Sequence, residues 1–161
     1  MPTWHKTTII RKEKEMKTIW NFLFHTGGRT VTASTVLLLQ RILFGGMLMM
    51  HGIQKIANFS DLSFNFPDPL NIGSMLSVSL AIFAEVVCSV FFIFGCLHRL
   101  VLLPMIFTMG VAFVLVHNGS VPDGELAFVY LCEFIFLYIA GTGRYSIDEF
   151  IGKALHVKGN R

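Results

Sequence analysis

Thr35–Lys55 reads TVLLLQRILFGGMLMMHGIQK, and its reading decides the fold. It is apolar, free of proline, and as long as the roughly 20 residues a helix needs to cross about 30 Å of hydrocarbon. It also carries Arg41, His51 and Lys55. A charge in hydrocarbon costs roughly 2.5–3.5 kcal/mol on insertion scales, so such residues pair, line a cavity or serve a function. At about 100° per residue, Arg41, Gly45, Leu48, Gly52 and Lys55 share one narrow arc with His51 at its edge. Glycines on that arc let a second helix approach closely, so the charged face is expected to point into a bundle.

Further stretches of the same kind follow, and the predicted spans are 33–56, 74–97, 100–116 and 125–140. Between them lie 57–73 with Pro67-Asp68-Pro69, a tight His98-Arg99 turn, and the loop 118–124. Of 161 residues 53% are hydrophobic, 16 are Phe and only 14% are charged, a composition that excludes a soluble domain. The fold class is therefore all-α: an integral membrane four-helix bundle in 32–150. A basic cytoplasmic or interfacial segment precedes it in 1–31, and a cytoplasmic tail follows in 151–161. Met16–Phe24, aromatic beside Lys17, reads as a short interfacial helix, and Met16 as an alternative start.

Basic residues give the orientation. Lys6, Arg11, Lys12, Lys14, Lys17 and Arg29, then Arg99, then Arg144, Lys153, Lys158 and Arg161 all fall on one side. The opposite connections carry Asp61, Asp68 and Asp123 and neither Lys nor Arg. Both termini are expected in the cytoplasm, and the net charge of +3 reflects topology rather than nucleic-acid binding. Two sequons, at Asn58 and Asn118, hug the membrane on the outer side and carry little weight.

The ionisable residues inside the spans are Arg41, His51, Lys55, Glu85, His117 and Glu133. Depth at about 1.5 Å per residue allows Arg41 to pair with Glu85, and Glu133 to pair with His51, His117 or Lys55. Lys55 and His117 lie near enough to the surface to snorkel. Glu133, deep and with no cation in its own helix, is a candidate for proton transfer or ligand binding. Cys88, Cys96 and Cys132 form no Cys-x-x-Cys pair and read as small core residues. No metal site is expected, because His51 and His117 come from separate helices without diagnostic spacing.

Arg41-Ile42-Leu43-Phe44-Gly45-Gly46 leading to His51-Gly52-Ile53-Gln54-Lys55, then Ala84-Glu85, Gly95-Cys96-Leu97-His98-Arg99 and Gly141-Thr142-Gly143-Arg144-Tyr145-Ser146-Ile147-Asp148, resemble the DoxX family over about 36–150. Thr142 stands where that family usually has proline. The resemblance implies a four-helix bacterial inner-membrane protein in the neighbourhood of the small subunit of thiosulfate:quinone oxidoreductase. Carried over position by position, the family's polar residues fall on Arg41, His51, Lys55, Glu85 and, at the cytoplasmic edge, Arg99. His117 and Glu133 rest on depth and helical face alone.

The function so implied is a subunit of a membrane redox system that binds a quinone at the polar cluster. Its electrons would come from a soluble redox partner or other membrane subunits, since no haem, iron–sulfur or dinucleotide motif occurs in the sequence. Which residue would be catalytic is left open, as is homo-oligomerisation. A non-catalytic scaffold held by ion pairs and a proton-coupled small-solute transporter are the alternatives.

Overall fold

The computed structural model of the protein describes residues 30–158, with side chains described as far as Ala154. The basic segment 1–29, with the interfacial helix and the second start expected in it, lies outside the described residues.

Helix α1 (Val31–Ala57) begins where the Thr30 hydroxyl accepts the Ala33 N–H at 3.3 Å. Its buried stripe is Ser34, Leu37, Arg41, Gly45, Leu48 and Gly52, the arc that the periodicity predicts. The connection after it contains a short helix, α2 (Phe59–Asn65), where only a loop is expected. Phe59-Ser60-Asp61-Leu62-Ser63-Phe64-Asn65 holds no Pro or Gly to break a turn, and the breakers start at Pro67. Asp68 then ties the loop down. Its carboxylate accepts the Ile72 N–H at 3.0 Å, the Gly73 N–H at 2.7 Å and the Ser77 hydroxyl at 2.8 Å.

Helix α3 (Ser74–Phe94) carries one wide π-type turn over Phe83–Val87, around Glu85. It ends three residues before the predicted 97 because Gly95 turns left-handed (φ 64°) and the Cys96 N–H returns to the Phe91 carbonyl at 2.9 Å. Helix α4 (His98–Val116) starts at once, so His98 and Arg99, predicted as a turn, form its first turn. A second π-type turn ends it, over Ala112–Val116. Helix α5 (Val121–Ala140) starts four residues before the predicted 125, with Pro122 in its first turn and a kink at Gly124. Helix α6 (Ile147–Lys158) runs from the end of the predicted 32–150 domain into the tail expected from 151 onward.

Among the described residues the chain is helical and has no strand. Three helices, Val31–Ala57, Ser74–Phe94 and His98–Val116, are long and apolar enough to cross a membrane. Helix α5, at 20 residues, has the length, but Asp123, Glu125 and Glu133 make it more acidic than the others. Leu39, Met50, Phe94, Phe107, Phe136 and Ile139 are among the many large apolar side chains left exposed. Water would not tolerate such a continuous apolar surface, whereas lipid matches it. The protein is an integral membrane protein.

Helix α3 packs between α1 and α4, and α4 between α3 and α5. Aromatic contacts close the arrangement: Phe92 meets Phe134 edge-on at 5.6 Å, Tyr130 stacks on Phe134 at 5.6 Å, and Phe44 meets Tyr130 edge-on at 6.0 Å. In lipid these helices gain little from the hydrophobic effect, so close packing must hold them together. At Gly52 α1 comes close against α3. A methyl group built on it would lie 2.5 Å from Val86 Cγ2 and 2.9 Å from Glu85 Cβ. Gly52→Val is expected to separate α1 from α3 and to cost roughly 1–3 kcal/mol, read as a lower melting temperature in detergent, whereas Gly46→Ala, with open space around it, should be nearly silent.

Candidate functional site

The buried polar residues fall into groups at opposite ends of the bundle. The first group lies toward the 57–73 and 117–120 connections. One turn beyond Gly52, Lys55 turns inward, and its Nζ meets Glu85 Oε2 at 2.6 Å. Expected to snorkel, Lys55 is instead held by the close approach of α1 to α3, with its side chain 23% exposed and that of Glu85 only 4%. His51 and Tyr130 meet edge-on, with ring centroids 6.4 Å apart. Both lie within electrostatic reach of Glu85. His117 stops α4, its Nδ1 at 2.7 Å from the Ala112 carbonyl oxygen, which also accepts the His117 N–H at 3.1 Å.

These side chains line a cavity of about 390 Å³ with His51, Lys55, Glu85, His117, Asp123 and Tyr130 in its wall. The Tyr130 hydroxyl is buried without a hydrogen-bond partner among the described residues. A buried hydroxyl left this way costs about 1–3 kcal/mol unless something fills the space and bonds to it. A second cavity of about 550 Å³ lies between α3 and α4, and Lys55, Glu85, Met109, Ala112 and His117 belong to the walls of both.

The second group lies at the end where α3 turns into α4. Arg41, fully buried, donates from Nη2 to the Tyr145 carbonyl and packs against Gly95, where any side chain would collide with the guanidinium. Its Nε and Nη1 have no hydrogen-bond partner among the described residues. Asp148 lies within electrostatic reach of it. The Asp148 carboxylate caps α4, accepting the Leu97 N–H at 2.8 Å and the His98 N–H at 2.9 Å. Burial pushes the Asp148 carboxyl above the usual aspartate range, against the opposing pull of those N–H groups and of Arg41. His98, stacked on Phe92, lies with Nε2 at 3.2 Å from the Leu137 carbonyl.

Thus the expected Arg41–Glu85 pair does not form. Glu85 stands level with Gly52, and Arg41 lies eleven residues earlier on α1, about 16 Å along the axis. The expected partners of Glu133 are likewise engaged elsewhere. Glu133 lines neither cavity, and its buried Oε1 has no hydrogen-bond partner among the described residues. Arg99 lies over the Tyr138 ring at 6.0 Å. His51, Lys55, Glu85 and His117 are therefore brought together, while Arg41, Arg99 and Glu133 stand apart from them. Tyr130 and Asp123 join the wall unpredicted. A tyrosine hydroxyl on the buried face of α5, in line with Ala127, Phe134 and Leu137, is the signal that points to the first.

Cys88, Cys96 and Cys132 are free thiols. Among the described residues no group of three or more His, Cys, Asp or Glu side chains is placed to hold a metal ion.

No curated protein and no solved structure matches the chain. A family model, that of DoxX, does match, over residues 36–118. The matched stretch carries Arg41, His51, Lys55, Glu85, Arg99 and His117 and stops before α5, so Tyr130 and Glu133 lie outside it. With half of its length under that model, the chain belongs to the DoxX family.

Proposed function

We propose that this membrane protein is a subunit of a membrane redox system and binds a quinone, or a small ligand of similar polarity, among His51, Lys55, Glu85, His117 and Tyr130. It spans the cytoplasmic membrane of a bacterium with four helices, α1, α3, α4 and α5, and keeps both termini inside, following the distribution of its Lys and Arg. One observation carries the reading: a buried, partnerless tyrosine hydroxyl in the wall of a cavity that also holds an ion pair and two histidines.

The fit is chemical. A quinone presents carbonyl acceptors, and the wall offers the Tyr130 O–H, the Lys55 ammonium and an N–H of the His51 imidazole to meet them. A bound quinone supplies two-electron, two-proton redox chemistry. Tyr130 and the histidines orient the ring, and Glu85 with its partner Lys55 holds a proton beside it. The π-type turns at Phe83–Val87 and Ala112–Val116 border the same cavity, a placement common for such turns at functional sites. Electrons reach the site from a soluble partner or a second membrane subunit.

Detergent-extracted protein is expected to carry a quinone detectable by mass spectrometry, and added quinone analogue is expected to raise its melting temperature. Tyr130→Phe, which removes one hydrogen bond while keeping the ring, should weaken analogue binding about fivefold. Absence of both the copurifying quinone and the stabilisation would remove the basis of the proposal.

A further inference from the structure

The second cavity has no place in the proposed chemistry, yet it shares a wall with the first. Lys55, Glu85, Met109, Ala112 and His117 border both spaces, so the ion pair stands at their junction. Away from that junction the character changes. Leu80, Ala81 and Phe83 of α3 face Pro104, Phe107 and Val111 of α4. Phe66, Pro67, Pro69, Leu70 and Ile72 add a third side, and this connection is held over the cleft by the three hydrogen bonds that Asp68 accepts. The arrangement is a polar chamber continued by an apolar cleft between two lipid-facing helices. At about 390 and 550 Å³, each is of the size of a small-ligand site.

We infer that the two spaces hold one molecule, a neutral long-chain amphiphile whose hydrogen-bonding head occupies the chamber and whose hydrocarbon chain runs through the cleft between α3 and α4. This rests on the head site proposed above and adds the class of its ligand. Neutrality follows from the charges in the chamber wall. Lys55 is already matched by Glu85 at 2.6 Å, and the remaining fixed charge is that of Asp123. No net positive charge awaits a phosphate, which binds where unmatched basic groups converge. The chain's place follows from continuity, since the cleft begins at the junction and its walls offer mainly aliphatic and aromatic carbon. Phe83 and Phe107, 48% and 60% exposed, stand on the lipid side of the same helices, which gives a chain a lateral way in from the bilayer.

The test compares a benzoquinone ring bearing a decyl chain with the same ring bearing a methyl group, on the full-length protein in detergent. The decyl compound should bind at least about tenfold more tightly. Ala81→Phe, which fills the cleft from a position 6% exposed, should abolish that gain and leave the methyl compound's affinity unchanged. Equal affinities that Ala81→Phe does not alter overturn the cleft while the head site stands. Failure of both compounds to bind overturns the head site and this inference with it. Should Ala81→Phe not fold, the wild-type protein decides with a decyl compound carrying a diazirine at the chain end. Labelling of 66–72, 80–83 or 104–111 supports the cleft, and labelling confined to other segments overturns it. Efficient displacement of the decyl compound by phosphatidylglycerol would overturn the neutral head.

Discussion

Asp148→Ala is expected to destabilise the protein by roughly 3–5 kcal/mol, the range found when a buried charge loses its partner. Two losses combine. The Leu97 and His98 N–H groups at the start of α4 lose their acceptors, at 2.8 and 2.9 Å, and a helix cap alone is worth about 1 kcal/mol. The fully buried Arg41 also loses the carboxylate within its electrostatic reach, keeping only the Tyr145 carbonyl as acceptor. Melting in detergent should therefore rank Asp148→Ala below Asp148→Asn, which keeps one side-chain oxygen for the cap. Arg41→Met, which removes the charge together with its need for a partner, should cost less than Asp148→Ala. In an Arg41→Met background the Asp148→Ala penalty should shrink to that of a cap. If Asp148→Ala cost no more than about 1 kcal/mol by itself, Asp148 would be a cap and nothing else.

This end of the molecule marks where sequence reading gives out. The stripe Arg41, Gly45, Leu48, Gly52 was legible because helical periodicity is local, and small residues on a charged face have one good use in a membrane bundle. The ends of α3 and α4 were not. His98-Arg99 reads as a turn by local rules, and only a carboxylate fifty residues away makes it the first turn of a helix. Periodicity gives a residue's face, and counting gives a depth good to a turn or two. Ion pairs are decided at a finer scale than that. Arg41 and Glu85 looked compatible by depth, yet Gly52, seated on Glu85 and Val86, fixes the register of α1 against α3 and brings Lys55 to the carboxylate. Glu133 was singled out for being acidic and deep. Neither its charge nor its position on α5 brings it to the wall where His51, Lys55, Glu85 and His117 converge.

Lys55→Met leaves the Glu85 carboxylate, 4% exposed, without its counter-charge and should cost roughly 3–5 kcal/mol. Glu85→Gln should cost less, because an amide needs hydrogen bonds but no opposite charge. The double change Lys55→Met with Glu85→Leu should recover most of the stability, since a well-packed apolar pair often equals a buried ion pair. That recovered variant is the decisive object, because a pair at 2.6 Å is also what a helix staple looks like. The pair lies at the junction of a polar chamber and an apolar cleft, in contact with the wall that holds His51, His117 and the partnerless Tyr130 hydroxyl. A staple would need no such surroundings. If the charges serve a ligand, the double variant melts near the wild-type temperature yet loses quinone-analogue binding by at least about tenfold, a loss of about 1.4 kcal/mol. If they only fix the register of α1 against α3, binding returns together with stability, and the chamber owes its affinity to Tyr130 and the histidines alone.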